Sequence, residues 1–382
     1  MSAAGPTPKP QEVHARCHNC GADVFWSPAH QGLYCEHCET VRPVVELPGQ
    51  ILERPLEQRP EGVATGVQGL MDGRALRCET CGAQVVLMGR EISKFCGFCG
   101  SPHVLPTDQR RNPIQPESVI PLMLPRARVQ QLFKKWLGRL WFRPNALRNL
   151  DLDKALGIYV PAWTFDAEAD SHWRADAGYY YYVPVTRTVI VNGKPRVTTT
   201  QERRVRWEPA AGHRHDFFND LQVLASKGVD AGLAEELGRF DTKALVPYQP
   251  EYLVGWEAEE YAIDLDGAWQ EGRERMLETQ RQRCSGDVPG DTQRNLQVRT
   301  DLDDVRWKHV LLPLWSLTYR FQGKRYAVLI NGQTGAIVGR APYSWVKILL
   351  AVLAVAAVVG IGIAVAQGAT LIRRGVRRGY RS

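Results

Sequence analysis

Eight of the nine cysteines in this sequence fall into four Cys-x-x-Cys pairs. The pairs are Cys17 with Cys20, Cys35 with Cys38, Cys78 with Cys81, and Cys96 with Cys99. Each such turn places two sulfur atoms on one side of a metal ion, and a second turn after fourteen intervening residues supplies the opposite side. Because four thiolates complete a tetrahedral site and leave no open position, the sequence predicts two structural Zn²⁺ ions and no catalytic metal.

An internal repeat favours zinc over the other chemistry that paired cysteines perform. The four cysteines that begin at Cys17 recur 61 positions later, beginning at Cys78, and the Cys-Gly-Ala segment at 20–22 recurs at 81–83. Disulfides and a redox-active Cys-x-x-Cys pair are the alternatives, and the duplicated spacing makes both less favourable. No secretory signal peptide is visible at the N-terminus, which also favours reduced thiols.

The sequence contains no recognisable catalytic motif. It has no phosphate-binding Gly-x-x-x-x-Gly-Lys-Ser/Thr loop, no His-Glu-x-x-His and no Gly-x-Ser-x-Gly. The His-Arg-His-Asp segment at 213–216 contains metal ligands, but two histidines in a polar loop are more often simply exposed. Cys284 has no visible partner. We therefore predict that the protein is not an enzyme, and an unrecognised site in the α+β domain is the remaining alternative.

Composition shifts divide the chain into a multidomain protein whose boundaries are marked by prolines and glycines. We predict a disordered tail at 1–11, a first zinc ribbon at 12–47, a linker at 48–72, a second zinc ribbon at 73–106, an α+β domain with a mainly antiparallel sheet at 107–344, a transmembrane helix at 345–371 and a basic tail at 372–382.

The α+β domain is predicted from helical and alternating patterns. Apolar residues recur at three- and four-residue steps from Arg126 onward and predict an amphipathic helix. Its basic side chains leave two interpretations open: a helix on a membrane surface or, as we favour, a helix that packs on the sheet. The Asn-Gly dipeptide at 192–193 predicts a hairpin turn. The segments at 160–165 and 312–317 resemble each other, so the domain is either one unit or two related halves sharing a sheet.

Residues 348–366 lack any charged or strongly polar side chain. A helix of that length rises roughly 28 Å, which matches the hydrocarbon core of a bilayer. Trp345 and Lys347 lie at one end as interfacial anchors, and five arginines lie at the other. Residues 345–382 hold six Lys and Arg and no Asp or Glu, so much of the net charge of +7 is concentrated here. The sequence predicts one crossing of the lipid bilayer near the C-terminus.

The orientation of the crossing is predicted from two opposing arguments. Reduced zinc thiolates and the missing signal peptide place the N-terminal domains in the cytosol. The arginine-rich tail then lies outside, which the positive-inside rule disfavours. We give more weight to the ribbons, since moving the large N-terminal part across a membrane is harder than moving a short tail.

The order of these elements is similar to that of one bacterial family. The features that carry the resemblance are the paired ribbons, the segments at 160–166 and 178–180, and the segment at 331–339 before the terminal apolar helix. The chain resembles membrane-anchored zinc-ribbon proteins often labelled TFIIB-type zinc ribbon-containing or, misleadingly, primosomal protein N′ helicase. The helicase label does not suit this sequence because no nucleotide-binding motif is present.

Members of that family resemble the envelope-stress protein encoded beside phage-shock protein A and flotillin-like SPFH-domain proteins. The resemblance implies an adaptor of the inner (cytoplasmic) membrane that recruits such proteins, and it carries over only the eight cysteines as functional residues. Nucleic-acid binding is the alternative, because zinc ribbons often perform it. Residues 1–110 hold 10 Lys and Arg against 12 Asp and Glu, a net charge of −2 that makes a phosphate-binding ribbon surface less favourable.

Overall fold

Two zinc-ribbon modules, a large sheet and a C-terminal helix make up the protein in a computed structural model. The structure describes residues 16–45, 51–58, 74–87, 96–99, 101–106, 114–144, 155–191, 194–322 and 324–379. The tail predicted at 1–11 and the hairpin turn predicted at 192–193 lie outside the described residues. The strands on either side of that turn nevertheless pair directly, so the hairpin itself is confirmed.

The first module is a small antiparallel sheet of three strands. They are β1 (Phe25–Ser27), β2 (Gly32–Tyr34) and β3 (Val41–Arg42), in that order across the sheet. A Cβ atom at Gly32 would meet the backbone oxygen of Arg42 at 2.8 Å, so glycine is required for β3 to close against β2.

The remaining strands form one twelve-stranded sheet. They are β4 (Arg54–Pro55), β5 (Arg74–Cys78), β6 (Gln84–Leu87), β7 (Val104–Pro106), β8 (Ser118–Val119), β9 (Leu156–Val191), β10 (Lys194–Leu224), β11 (Val246–Pro247), β12 (Glu257–Glu259), β13 (Thr292–Phe321), β14 (Lys324–Asn331) and β15 (Ile337–Gly339). The helices are α1 (Arg126–Arg139), α2 (Ala231–Leu237), α3 (Leu265–Asp287) and α4 (Trp345–Gly379).

The main path through this sheet is β11-β8-β13-β9-β12-β6-β5-β7. Strand β10 pairs with β9, β14 with β13, β15 with β14, and β4 with β13. Among the described residues, only the β8–β13 and β9–β12 pairs are parallel, which confirms the mainly antiparallel sheet. The second ribbon supplies β5, β6 and β7, and the segment predicted as a linker supplies β4, so both belong to the same sheet as the central domain.

Strands β9, β10 and β13 are much longer than the usual length of about 3–10 residues for strands in globular proteins. They hold 36, 31 and 30 residues, so β9 alone extends roughly 120 Å at about 3.3 Å per residue. Strands β10 and β13 flank β9 up to Gly178, and beyond it β9 and β10 continue as a two-stranded hairpin. We call residues 179–206 of this hairpin the projecting ribbon. Pro184 and Pro209 are tolerated within these strands because each strand has an open edge there.

The two similar segments at 160–165 and 312–317 are neighbours in the sheet. They pair antiparallel in β9 and β13, and Val160 lies opposite its own counterpart, Leu312. A local two-fold axis therefore passes between the two residues. A duplicated element whose copies share one sheet would have this arrangement.

Each of these segments carries a buried tryptophan with the same kind of partner. Trp163 donates a hydrogen bond from Nε1 to the backbone oxygen of Ile263 at 3.0 Å, and Trp315 donates to the backbone oxygen of Leu124 at 3.1 Å. Both acceptors lie two residues before a helix, α3 in one case and α1 in the other. The tryptophans thus fix the start of a covering helix on each half of the sheet.

The two long helices of the domain pack on this sheet. Helix α1 begins at Arg126 as predicted and buries Val129, Phe133 and Leu137 in the core that contains Trp315, so it does not lie free for a membrane surface. Helix α3 covers the other half and buries Met276.

Helix α4 extends past the end predicted at 371 and into the segment predicted as a basic tail. Residues 345–363 form a 19-residue helical stretch that is apolar apart from Lys347, and none of this stretch is buried inside the protein. A helix in the core of a soluble domain would be mostly buried, so the length, composition and exposure of this segment are those of a possible membrane span.

Candidate zinc centres

Cys17, Cys20, Cys35 and Cys38 converge at the first ribbon. The Sγ atoms of Cys17 and Cys38 are 3.5 Å apart, and those of Cys20 and Cys35 are also 3.5 Å apart. Tetrahedral coordination with Zn–S bonds of about 2.3 Å separates the sulfurs by about 3.8 Å, so a zinc ion fits this group with little adjustment. A disulfide has an S–S bond of about 2 Å, and all four cysteines are free.

Cys78, Cys81, Cys96 and Cys99 form an equivalent group in the second ribbon. The Sγ atoms of Cys78 and Cys99 lie 3.5 Å apart, and those of Cys81 and Cys96 lie 3.6 Å apart. The structure therefore brings all eight predicted cysteines together in the two predicted sets. The two Cys₄ groups fit two structural zinc ions, and each group leaves no coordination position open for a substrate.

The glycine after the second cysteine of each ribbon explains the repeated Cys-Gly-Ala sequence. Gly21 and Gly82 have φ angles of 73° and 74°, in the left-handed region that favours glycine. The N–H of Gly21 donates to the backbone oxygen of Cys17 at 2.9 Å, and that of Gly82 donates to Cys78 at 2.9 Å. The glycine thus turns the chain sharply enough to present both sulfurs of a pair to one ion.

Hydrogen bonds favour the thiolate form of one cysteine in each group. A hydrogen bond from the Thr40 hydroxyl lowers the pKa of Cys38 to about 5. In the second group, a hydrogen bond from Cys96 lowers the pKa of Cys81, and the same bond raises the pKa of Cys96. Because zinc binds thiolates, its arrival displaces the protons that remain.

The first ribbon is fixed to the body of the protein by Trp26. Its side chain is only 3% exposed and meets the ring of Tyr252 edge-on at 4.8 Å. Its Nε1 donates to the backbone oxygen of Leu122 at 3.2 Å, and its backbone N–H donates to that of Val254 at 2.9 Å. Trp256 in turn donates from Nε1 to the Trp26 backbone oxygen at 2.8 Å. The ribbon therefore uses one face to dock inside the same chain.

The second ribbon is held by strand pairing as well as by packing. Strand β6 pairs with β12, and Val85 and Val86 of β6 are buried. The ring of Phe98 lies over Gly228, where a Cβ atom would meet it at 2.6 Å. Both zinc ribbons are therefore packed against the sheet domain by one face.

Two other residues considered from the sequence have clear positions. His213 was expected in a polar loop, but it lies within strand β10 directly opposite His172 of β9. The loop interpretation fails because the histidine segment continues the alternation of a long strand whose partner is remote in sequence. Cys284 is buried on α3 and belongs to neither cysteine group.

A cluster of charges beside β4 was not predicted from the sequence. The Nζ of Lys308 lies 2.7 Å from Glu53 and 2.6 Å from Asp220, and the lysine side chain is 6% exposed. Burial opposes the charge of Lys308, but hydrogen bonds to the two carboxylates outweigh it and raise the pKa. Burial raises the pKa of the neighbouring Asp166 to about 6. No sequence signal links Glu53 to Lys308, because 255 positions separate them.

A second ion pair holds the same segment. Arg54 lies 2.7 Å from Glu117, whose other carboxylate oxygen accepts a hydrogen bond from the backbone N–H of His309 at 2.8 Å. Burial raises the pKa of Glu117 to about 7 despite the attraction of Arg54, and burial lowers the pKa of His309 to about 4. These contacts fasten the segment between the ribbons onto β13.

The fold and the two centres define a double zinc-ribbon protein with a large, mostly antiparallel sheet domain and a C-terminal apolar helix. No family model matches the chain, and no solved structure matches it. The uncharacterized protein YdjG of Bacillus subtilis (strain 168) is 25% identical to it over 243 residues, which cover 63% of this chain and 68% of that protein. This similarity assigns no activity.

Proposed function

We propose that the protein is a membrane-anchored adaptor whose zinc-ribbon end binds protein partners at the cytosolic face of the inner membrane, in the response to envelope stress. The observation that carries the proposal is that one chain contains two Cys₄ centres with no open coordination position and, near its C-terminus, an exposed apolar helix. Closed centres support folding and not catalysis, because no coordination position is left for a reactant. The proposal therefore assigns no catalytic step to this chain.

The junction between the sheet domain and α4 supports the anchoring. Exposed aromatic side chains gather there: Trp141, Phe142, Tyr343 and Trp345. The backbone N–H of Ser344 donates to the backbone oxygen of Phe142 at 2.7 Å, so the end of α1 lies beside the start of α4. Arg143 stacks over Tyr343 at 3.8 Å. Aromatic and basic side chains in this position are typical of the headgroup layer of a membrane.

The ribbons keep exposed apolar side chains after docking. Exposed apolar side chains are present on both ribbons: Val41 and Val45 on the first and Leu105 on the second. The buried residues Trp26 and Val86 hold the ribbons against the sheet domain. We propose that these exposed residues contact the partner. From the family resemblance, the proposed partners are phage-shock protein A-like or SPFH-domain proteins.

Site-specific photo-crosslinking from the full-length protein in its native membrane tests the adaptor. A crosslinker at Val45 should capture a phage-shock protein A-like or SPFH-domain protein. The matched control is Val197, an equally exposed valine on the projecting ribbon, which should not capture it. The absence of a protein adduct at both positions would contradict the adaptor proposal.

The anchoring is tested separately by Val355→Arg, since Val355 lies in the middle of the apolar stretch. An arginine at the centre of a span costs about 2.5–3.5 kcal/mol of insertion free energy. The variant should shift the protein from the membrane to the soluble fraction, whereas Val41→Arg on the first ribbon should not. Equal membrane fractions for both variants would argue against α4 as the anchor.

The projecting ribbon favours nucleic-acid binding as a second candidate function. Residues 179–206 contain six Lys and Arg and one Glu, and a two-stranded antiparallel ribbon is narrow enough to enter the major groove of DNA. Arg203 lies over the ring of Tyr180 at 4.3 Å.

A gel-shift assay at several salt concentrations tests this candidate function. The full-length protein should retard DNA with a steep dependence on salt, and the double variant Arg196→Ala with Arg204→Ala should reduce the slope of that dependence. Binding that does not change with salt would exclude it.

A further inference from the structure

The sheet face opposite α3 is open in its three-stranded part. Along β9, Ala167 and Ala169 are buried beside α3, whereas Glu168, Asp170 and His172 alternate with them and lie on the other face. Within the part of the chain that the structure describes, neither the zinc ribbons nor a helix covers this face at these positions, since the side chains of Asp170 and His172 are 43% and 69% exposed. The alternation places polar side chains of three neighbouring strands on one accessible surface.

On this face, two histidines and one aspartate converge. His213 of β10 is the cross-strand partner of His172, and their ring centres are 4.7 Å apart. The Nε2 atom of His213 lies 2.7 Å from Oδ1 of Asp170, and the Nε2 atom of His172 lies 3.6 Å from the same oxygen. One ligand atom from each residue lies within 4.8 Å of the other two.

We propose that Asp170, His172 and His213 form a third metal site, which takes Zn²⁺ reversibly from solution. Tetrahedral coordination at about 2.0–2.1 Å separates nitrogen and oxygen ligands by about 3.3 Å. The two Nε2–Oδ1 distances fall on either side of that value, so small rotations of exposed side chains suffice. Two imidazoles and one carboxylate are ligands that zinc accepts readily, and they leave the fourth position open to water.

The neighbouring charges set the strength of this site. Asp301 of β13 lies directly opposite Asp170, and Glu168 lies 4.0 Å from His215, so further carboxylates favour a cation. Arg299 lies opposite His172 and opposes a cation, although it lies 3.6 Å from Asp301. With three ligands and high exposure, the site binds zinc more weakly than the Cys₄ centres and exchanges it.

The site is independent of the ribbons. Strand β12, which joins the second ribbon to β9, pairs with β9 at Ile158 and Tyr159. Asp170 lies twelve residues farther along the strand, roughly 40 Å away at about 3.3 Å per residue. Loss of zinc from this site therefore leaves both Cys₄ centres loaded.

Metal titration of the full-length protein in detergent tests the proposal. The protein is first loaded with zinc and treated with a weak chelator, so that two zinc ions per chain remain. Co²⁺ is then added as the probe and followed by its visible absorption. We expect one further Co²⁺ per chain with ligand-field bands but without the near-ultraviolet charge transfer that thiolate ligands produce, and competition of this signal by Zn²⁺.

Variants identify the ligands. His172→Ala and His213→Ala should each lose the third ion and keep the two zinc ions of the ribbons. The matched control is His215→Ala on the same strand and face, which should retain the third ion, and circular dichroism verifies that all three variants fold. A stoichiometry of two in the wild-type protein, a thiolate signature for the third ion, or equal loss in His215→Ala would each overturn the assignment.

Discussion

Replacement of Glu117 by glutamine should change how the stability of the protein depends on pH. Burial raises the pKa of Glu117 to about 7 from an ordinary value of 4.5, although Arg54 lies 2.7 Å away. The folded state therefore favours the protonated carboxyl group. The stability that this group contributes is fully present below pH 4.5 and is lost as the pH rises through 7.

The magnitude follows from the size of this shift. About 2.5 pKa units at 1.36 kcal/mol each correspond to roughly 3 kcal/mol, and the side chain of Glu117 is only 8% exposed, so solvent screening is weak. Glutamine keeps an oxygen that can accept the hydrogen bond from the His309 backbone without carrying a charge. The stability of Glu117→Gln relative to wild type should therefore increase by about 3 kcal/mol between pH 4.5 and 8.

Thermal unfolding of the zinc-loaded protein in detergent, at half-unit pH steps, measures this difference. At about 2–4 °C per kcal/mol, the unfolding midpoint of the variant should rise by roughly 6–12 °C relative to that of wild type as the pH increases from 4.5 to 8. His309 titrates in an overlapping range with the opposite sign: its pKa is lowered to about 4, so the stability that it contributes is present above pH 6.5 and is lost as the pH falls through 4. His309 is present in both proteins, and the difference between them isolates Glu117.

The control is Glu236→Gln, since Glu236 is an exposed glutamate of α2. The unfolding midpoint of this variant should differ from that of wild type by the same amount at every pH. A midpoint difference between Glu117→Gln and wild type that stays constant from pH 4.5 to 8 would refute the reasoning, because it would mean that Glu117 does not change its protonation state in the folded protein within this range.

Three further predictions concern the ribbons. Trp26→Ala should cost about 3–5 kcal/mol and expose residues 16–45 to proteolysis, because the buried ring and its hydrogen bond are lost together; unchanged protease protection would contradict the docking. After weak chelation to remove exchangeable metal, Cys35→Ser should lower the zinc content from two ions per chain to one, while Cys284→Ser should leave it at two, as elemental analysis would show. Gly82→Ala should destabilise the second ribbon by about 1 kcal/mol because of its positive φ, whereas Gly138→Ala inside α1 should stabilise the protein slightly; shifts of the same sign would be inconsistent with this explanation.

Much of the zinc chemistry could be predicted from the sequence because it depends on local spacing. A Cys-x-x-Cys turn is built within a few residues, and the glycine that follows it needs only its own backbone freedom. The start of α1 at Arg126 and the hairpin around 192–193 were predicted for the same reason, since an apolar period and an Asn-Gly turn are local signals.

The length of the strands could not be predicted in this way. Pro184 and Pro209 normally end a strand, and only the arrangement of neighbours shows that each lies on a strand with an open edge. Buried and exposed residues alternate along β9 only from Ala167 to Ala177, and which face meets α3 depends on a helix more than eighty positions away. Local patterns therefore do not show that residues 156–191 form one continuous strand.

By itself, the sequence determined which residues can bind two zinc ions, that the ribbons are duplicated, and that the C-terminal segment is apolar over the length of a membrane span. Only the tertiary structure decided that each ribbon docks by one face, that Glu53 meets Lys308, and that His213 lies opposite His172. The physical reason is the range of the interactions. Cys-x-x-Cys turns and apolar helices are specified by residues close together in the sequence, whereas sheet pairing and buried ion pairs join residues that are remote along the chain.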